Sequence, residues 1–265
     1  MGGRARDTMS FLIICLVAFA ASALTFFSGF GLGTLLLPAF ALFFPVELAV
    51  AMTAVVHFLN GLFKLALIGR QADFGIVARF GLPSIASALL GAWLLARLSA
   101  APPVVSYSAL GAAMEVTPVK LVVGSALLLF ALLEVAPRFR GLSFAPRHLV
   151  VGGLVSGFFG GLSGMQGALR SAFLVRAGLS KEVFVGTGVV IAVLVDVSRL
   201  AVYAGAMPPA LPGDALPLLA AAVVAALLGA VLGNRYLHKV TLPLIQRVVA
   251  VLLLVIGLGL VTGLL

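Results

Sequence analysis

Apolar segments follow one another along this chain from end to end, separated by loops too short to hold a folded soluble unit. Several approach the roughly 20 residues an α-helix needs to cross a bilayer at 1.5 Å per residue. This pattern restricts the fold more than any motif does. Hydrocarbon offers a spanning segment no hydrogen-bonding partner, so each span must satisfy its own backbone, which a helix does. With 63% hydrophobic and only 9% charged residues in 265 positions, the chain resembles no soluble domain of its size. It reads as an all-α polytopic membrane protein, so its chemistry is confined to the bundle interior or its mouths.

The net charge of +9 does not point to nucleic acid, because the basic residues sit mainly at the ends of apolar runs, where they anchor and orient helices. The single cysteine, Cys15, excludes an intramolecular disulfide. Arg4 and Arg6 followed by residues 11–23 imitate a signal peptide. Apolar character continues through Pro38, however, and a similar pattern recurs at residues 149–161, so this segment reads as a retained membrane helix.

The chain repeats itself. Ser28-Gly29 matches Ser163-Gly164, Glu47 matches Glu182, and Lys64-Leu65 matches Arg199-Leu200, each at a separation of 135 residues. Leu89-Leu90-Gly91-Ala92 matches Leu227-Leu228-Gly229-Ala230, and Arg97 matches Arg235, at a separation of 138. Ordered matches at a nearly fixed offset indicate duplication: a first transmembrane repeat (1–137), a basic cytoplasmic linker (138–147) and a second repeat (148–265). Each half holds five apolar segments, at 10–27, 32–44, 46–68, 75–97 and 117–136, then 147–162, 165–177, 183–204, 214–236 and 242–263. The second of each five is too short to span. It follows a Gly-rich break, Gly29-Phe30-Gly31-Leu32-Gly33 or Gly160-Gly161-Leu162-Ser163-Gly164. A short helix after such a break reads as a half-helix or re-entrant hairpin, tolerated where protein or a cavity surrounds the exposed backbone.

Five segments is an odd number, so the halves are expected to insert upside down relative to each other, as inverted repeats. Arg70, Arg79, Arg138, Arg140, Arg147, Arg176, Lys181, Arg235, His238 and Lys239 then share one cytoplasmic side. Arg4 and Arg6 oppose this assignment. The alternative is four crossings per half, parallel repeats and a cytoplasmic N-terminus.

Inverted repeats with broken helices are typical of secondary transporters, with substrate held near the midplane where half-helices meet. Helix N-termini there present free N–H groups and a positive dipole end. The short helices are expected to start near Gly33-Thr34 and Gly164-Met165-Gln166-Gly167, with Gly31 in the first break. Ser28, Thr34, Ser163 and Gln166 are candidate side-chain donors. Arg170 follows one turn into the second short helix. The long helices carry polar and ionisable groups where these are costly: His57, Asn60 and Lys64 in one, Asp196 and Arg199 in the other. This set predicts an anion site, with His57 or Asp196 as carrier of a coupling proton.

Structural readings compete with these. Gly29-xxx-Gly33, Gly153-xxx-Gly157 and Gly229-xxx-Gly233 are small-xxx-small patterns that close helix packing alone explains. Lys64 and Arg199 are near enough to helix ends to snorkel. Asp196 with Arg199 reads equally as a structural ion pair, and His57 as a hydrogen-bond partner of Asn60 or a backbone carbonyl.

The duplicated block resembles the sulfite exporter TauE/SafE family of membrane permeases. In each half a Gly-rich break precedes a short helix ending in Pro45-Val46-Glu47-Leu48-Ala49 or Leu179-Ser180-Lys181-Glu182. A long helix bearing Thr53 or Thr187 follows, then a helix from Gly91 or Gly229 to Arg97 or Arg235. The resemblance covers nearly the whole chain. It implies transport of sulfite, sulfonates, sulfoacetate or related small anions across a bacterial inner membrane, with no enzymatic activity and no cofactor, and it adds Thr53 and Thr187 to the candidate site. The breaks depart from the family's glycine-richer form at Phe30, Leu32, Met165 and Gln166, which bears on the pocket's shape.

Two other classes remain. Gly161-Leu162-Ser163-Gly164 fits the Gly-x-Ser-Gly signature of intramembrane serine proteases, whose serine needs a histidine on a facing helix. His238 lies in a charged loop and His57 in the other half, while duplication already explains Ser163 as the counterpart of Ser28. A passive anion channel is the stronger rival, although no ring or filter signature is present. No His-Glu-x-x-His or metal cluster occurs in the sequence.

Overall fold

The computed structural model describes residues 2–24, 31–109, 112–135, 143–206, 215–236 and 242–265. Helices α1 (Gly2–Leu24), α2 (Leu32–Ala41), α3 (Val46–Ile68), α4 (Phe74–Ser99) and α5 (Pro118–Val135) make up the first half of the chain. Helices α6 (Leu149–Ser163), α7 (Gly167–Leu174), α8 (Lys181–Ala206), α9 (Ala215–Tyr236) and α10 (Leu242–Thr262) make up the second. Four of these, in α3, α4, α8 and α9, are long and apolar enough to cross a membrane by length and composition. The segments expected at the two Gly breaks are short helices of 10 and 8 residues.

Local chemistry sets the boundaries. Pro45 caps α3 in an extended conformation, and the Asp73 carboxylate accepts the Ile76 N–H to start α4. Early in α4, Val77–Gly81 widens into a π-turn just before Pro83, which has no N–H to donate and whose ring crowds the turn before it. The Ser84 hydroxyl then serves the Phe80 carbonyl at 2.7 Å.

The all-helical expectation misses one element. Between α4 and α5 lies a two-stranded antiparallel ribbon, β1 (Val105–Ala109) and β2 (Ala112–Val116), with Val105 opposite Val116 and Tyr107 opposite Met114. Pro102-Pro103 rules out helix there, and the alternating Val-Ser-Tyr-Ser that follows suits a pleat. The Tyr107 hydroxyl donates to the Thr262 carbonyl, tying the ribbon to the end of α10.

The bundle turns large apolar side chains outward and keeps a few charged ones inside a largely apolar core. Leu82, Leu132, Leu228 and Val251 are each more than half exposed, whereas Lys64, Arg170, Asp196 and Arg199 are buried. An apolar outer face with charge kept off it is what a lipid surround demands.

Glycines set the closest helix contacts. Along α6, a Cβ on Gly153, Gly157 or Gly161 would fall 3.1 Å from the Phe80 carbonyl carbon, 2.5 Å from Ser84 Cα and 2.8 Å from Ala88 Cα, so α6 lies backbone to backbone, in parallel, on α4. Gly229 and Gly233 of α9 press in the same parallel sense on Phe19 and Ala23 of α1. Helices α3 and α8 instead run antiparallel: Gly186 lies against Ile68, Val193 against Gly61, and Asp196 against His57. Helices α5 and α10 are also antiparallel, with Leu260 beside Gly124 and Gly257 beside Leu128.

Candidate functional site

The antiparallel crossing of α3 and α8 builds the polar centre. His57 on α3 and Asp196 on α8 meet at 2.6 Å, Nδ1 to Oδ2. A carboxylate only accepts, so the imidazole donates from Nδ1. One turn further along α8, Arg199 donates from Nε to Asp196 Oδ1 at 3.0 Å, and its Nη2 lies 2.7 Å from the same oxygen. Asp196 thus bridges a cation on its own helix and an imidazole 139 residues away. Asp196 and Arg199 are both fully buried, which makes this contact a desolvated pair rather than a surface one.

The two breaks converge here. Gly31, at φ 116°, precedes α2, and Gly164, at φ 79°, ends α6; both backbones are left-handed, where glycine is strongly favoured. A Cβ on Gly33 would lie 3.0 Å from the Gly164 carbonyl oxygen and 3.9 Å from His57 Cδ2. A Cβ on Gly164 would come within 2.6 Å of Arg199 Nη1, so the missing side chain makes room for the guanidinium. Neither Gly31 nor Gln166, the residues preceding the two short helices, caps its helix with a side-chain hydrogen bond.

Beside this network lies a cavity of about 50 Å³, lined by Leu32, His57, Asn60, Gly61, Lys64, Arg170 and Ser171 and by Phe184, Gly188 and Ala192 of α8. A cavity of that size admits a few water-sized spheres, enough for one small oxyanion. Lys64 and Arg170 face it from different halves of the chain, and both are buried. The Arg170 Nη1 donates to Gln166 Oε1 at 3.2 Å. The Ser22 hydroxyl donates to Asn60 Oδ1 at 3.1 Å, fixing the amide from α1.

The structure therefore brings Gly33, His57, Asn60, Lys64, Gly164, Gln166, Arg170, Asp196 and Arg199 into one region, with Gly31 and Gly167 at the helix starts. Three other candidates, Thr187, Ser163 and Thr34, are engaged in hydrogen bonds of their own. The Thr187 hydroxyl accepts the Asp73 N–H at 2.9 Å and so holds the α3–α4 turn. Ser163 donates back to Phe159 O, and Thr34 to Gly31 O. Thr53 is fully buried, and its hydroxyl has no hydrogen-bond partner among the described residues. Ser28, like His238 and the linker arginines Arg138 and Arg140, lies outside the described residues.

Sequence reasoning did not bring forward Tyr203, whose hydroxyl donates to the Gly161 carbonyl and ties α8 to the end of α6. Its place one turn after Arg199 was the only available signal. Nor did it pair His57 with Asp196, because nothing in a sequence links residues on helices from different halves.

The fold and centre define a polytopic helical membrane protein organised around buried charged side chains and a small cavity that two of its cations line. The chain belongs to the sulfite exporter TauE/SafE family of membrane permeases, whose sequence profile matches residues 14–260. The resemblance carried by the duplicated block is thereby established over nearly the full length. No curated protein and no solved structure matched the chain.

Proposed function

We propose that this protein is a secondary carrier that binds a small anion, sulfite or a closely related sulfur oxyanion, in the Lys64–Arg170 cavity and moves it across the bacterial inner membrane by alternating access. One observation carries the reading. Two buried cations, an imidazole and an amide, drawn from both halves of the chain, line a single small cavity inside an otherwise apolar bundle. Charge inside a membrane bundle is costly and marks substrate and ion pathways, and an anionic ligand complements two cations that line one cavity. The uncapped starts of α2 and α7 add N–H groups and positive dipole ends nearby.

Helix direction supports inverted halves. If α1–α5 and α6–α10 are equivalents, α3 packs antiparallel on its own counterpart α8, and α5 on α10, as an axis in the membrane plane requires. The parallel pairs α4 with α6 and α1 with α9 are then two copies of one contact. This favours a first repeat at 1–137 and a second at 148–265, with the cavity nearer the side bearing Arg70, Arg176 and Lys181, the cytoplasmic side by charge. The halves rock about the centre, and the His57–Asp196 pair carries a coupling proton.

The test is uptake of radiolabelled sulfite into proteoliposomes by wild type, Lys64→Gln and Arg170→Gln. Saturable uptake that both substitutions weaken at normal expression supports the site; wild-type rates in both variants would sink it. A passive channel predicts flux that stays linear in concentration and ignores an imposed pH gradient.

A further inference from the structure

We propose that Arg199, Thr53 and Gln166 form a second anion subsite, the closed counterpart of the open cavity, and that Asp196 occupies it as a tethered counter-ion until the transported anion displaces it. This rests on the carrier reading above and adds where the anion goes next.

The offset of 135 residues relates the two places position by position. Lys64, Gly61 and Gly188 line the open cavity. Their equivalents at that offset are Arg199, Asp196 and Thr53, and all three are fully buried. Where the cavity has two glycines, its counterpart has a carboxylate and a threonine. On this correspondence, the Asp196 and Thr53 side chains stand beside Arg199 where the equivalent positions beside Lys64 are bare glycines. The antiparallel register of α3 and α8, which sets Ile68 against Gly186 and His57 against Asp196, carries on to set Thr53 at the level of Arg199.

Besides Arg199 Nη2, which lies 2.7 Å from Asp196 Oδ1, three buried polar atoms have no hydrogen-bond partner among the described residues: Arg199 Nη1, Gln166 Nε2 and Thr53 Oγ1. They come from α8, the residue preceding α7, and α3. The first two are obligate donors and the third is a hydroxyl. A buried donor left unsatisfied is expensive, so a region with several is arranged for a ligand it does not yet hold. Asp196 answers only part of that demand. Its Oδ1 takes Arg199 Nε and lies against Nη2, and its Oδ2 takes His57; Nη1 lies beside Gly164 with no hydrogen bond among the described residues, and the Tyr203 hydroxyl is another polar group near the guanidinium. A small oxyanion has acceptors for all three unpaired groups. On arrival it takes over Arg199 and leaves Asp196 to His57. The two cationic subsites, Lys64–Arg170 and Arg199, then hold the anion in successive states, with Asp196 closing the second when it is empty.

Sulfite is the probe, with the full chain purified in micelles and also reconstituted in liposomes. Thr53→Val is nearly isosteric and removes a hydroxyl with no hydrogen-bond partner among the described residues. It should leave sulfite affinity of the resting protein unchanged while slowing sulfite transport about tenfold, the worth of one hydrogen bond to an ion. Asp196→Asn should add a second sulfite per chain by calorimetry, and Arg199→Gln in that background should abolish the added site alone. Transport at the wild-type rate by Thr53→Val refutes the second subsite, as does a folded Asp196→Asn protein that binds no additional sulfite. If Asp196→Asn does not fold, Thr53→Val decides alone. The carrier reading fails separately: in that case Lys64→Gln would leave wild-type sulfite binding intact.

Discussion

Removing the Asp196 carboxylate is the sharpest perturbation of the polar centre. Arg199 has no exposed surface, and two of its nitrogens lie at 2.7 and 3.0 Å from Asp196 Oδ1. Asp196→Ala leaves that guanidinium buried without its counter-ion, a change that costs about 3–5 kcal/mol where one partner of a buried pair is lost. For a chain of this size each kcal/mol shifts the melting midpoint by roughly 2–4 °C, so the expected drop is roughly 6–20 °C. The cost belongs to the orphaned charge rather than to the lost contact. Asp196→Ala/Arg199→Leu should therefore melt above Asp196→Ala alone. His57→Ala should cost less, about 1.5–3 kcal/mol, because the imidazole is 18% exposed and Asp196 keeps Arg199 when it goes. Midpoints are read from the tryptophan fluorescence of purified protein at one fixed scan rate, since unfolding in micelles is commonly irreversible. A melting midpoint for Asp196→Ala equal to wild type, or a double variant less stable than the single one, would refute the claim that this pair is a desolvated unit.

Three further outcomes follow from particular contacts. Gly164→Ala combines a left-handed backbone, about 1–2 kcal/mol for a residue with a Cβ, with displacement of Arg199, so sulfite transport should fall severely while the protein still reaches the membrane; uptake normalised to expression checks this. Gly157→Val drives a side chain into the Ser84 backbone and should abolish the folded bundle, whereas Gly205→Ala, with nothing within 4 Å, should be neutral; size-exclusion profiles after detergent extraction separate the two. Tyr203→Phe removes the bond to the Gly161 carbonyl and should destabilise by about 1 kcal/mol, read as a small fall in melting midpoint.

Much of the bundle was legible because membrane helices announce themselves by length and hydropathy. The ten apolar segments coincide with the ten helices to within a few residues at most ends, and Pro45, Asp73 and the two Gly breaks mark boundaries that local chemistry enforces. The ribbon at 105–116 was not legible as part of an all-helical chain, because its signal is a short alternation after Pro102-Pro103 within a stretch taken as connection. The Asp196–Arg199 contact was visible because both residues share one turn of one helix. Its link to His57 was not, since it depends on where α3 and α8 cross. Thr187 looked equivalent to Thr53 as a threonine early in a long helix, yet it lies one position away from the 135-residue offset, which lands on Gly188. That single residue of register separates a hydroxyl holding the Asp73 N–H from a glycine lining the cavity.

The central claim is that a small anion is carried through a site made by Lys64 and Arg170. Initial rates of sulfite uptake into proteoliposomes, measured against external sulfite for wild type and Lys64→Gln, test it most directly. The account predicts a saturating curve that rises with an imposed pH gradient, and a half-saturating concentration at least tenfold higher in Lys64→Gln, the loss of one charge-assisted contact being worth about 1.5–3 kcal/mol. Uptake that never saturates, or a Lys64→Gln curve that superimposes on wild type, would contradict it.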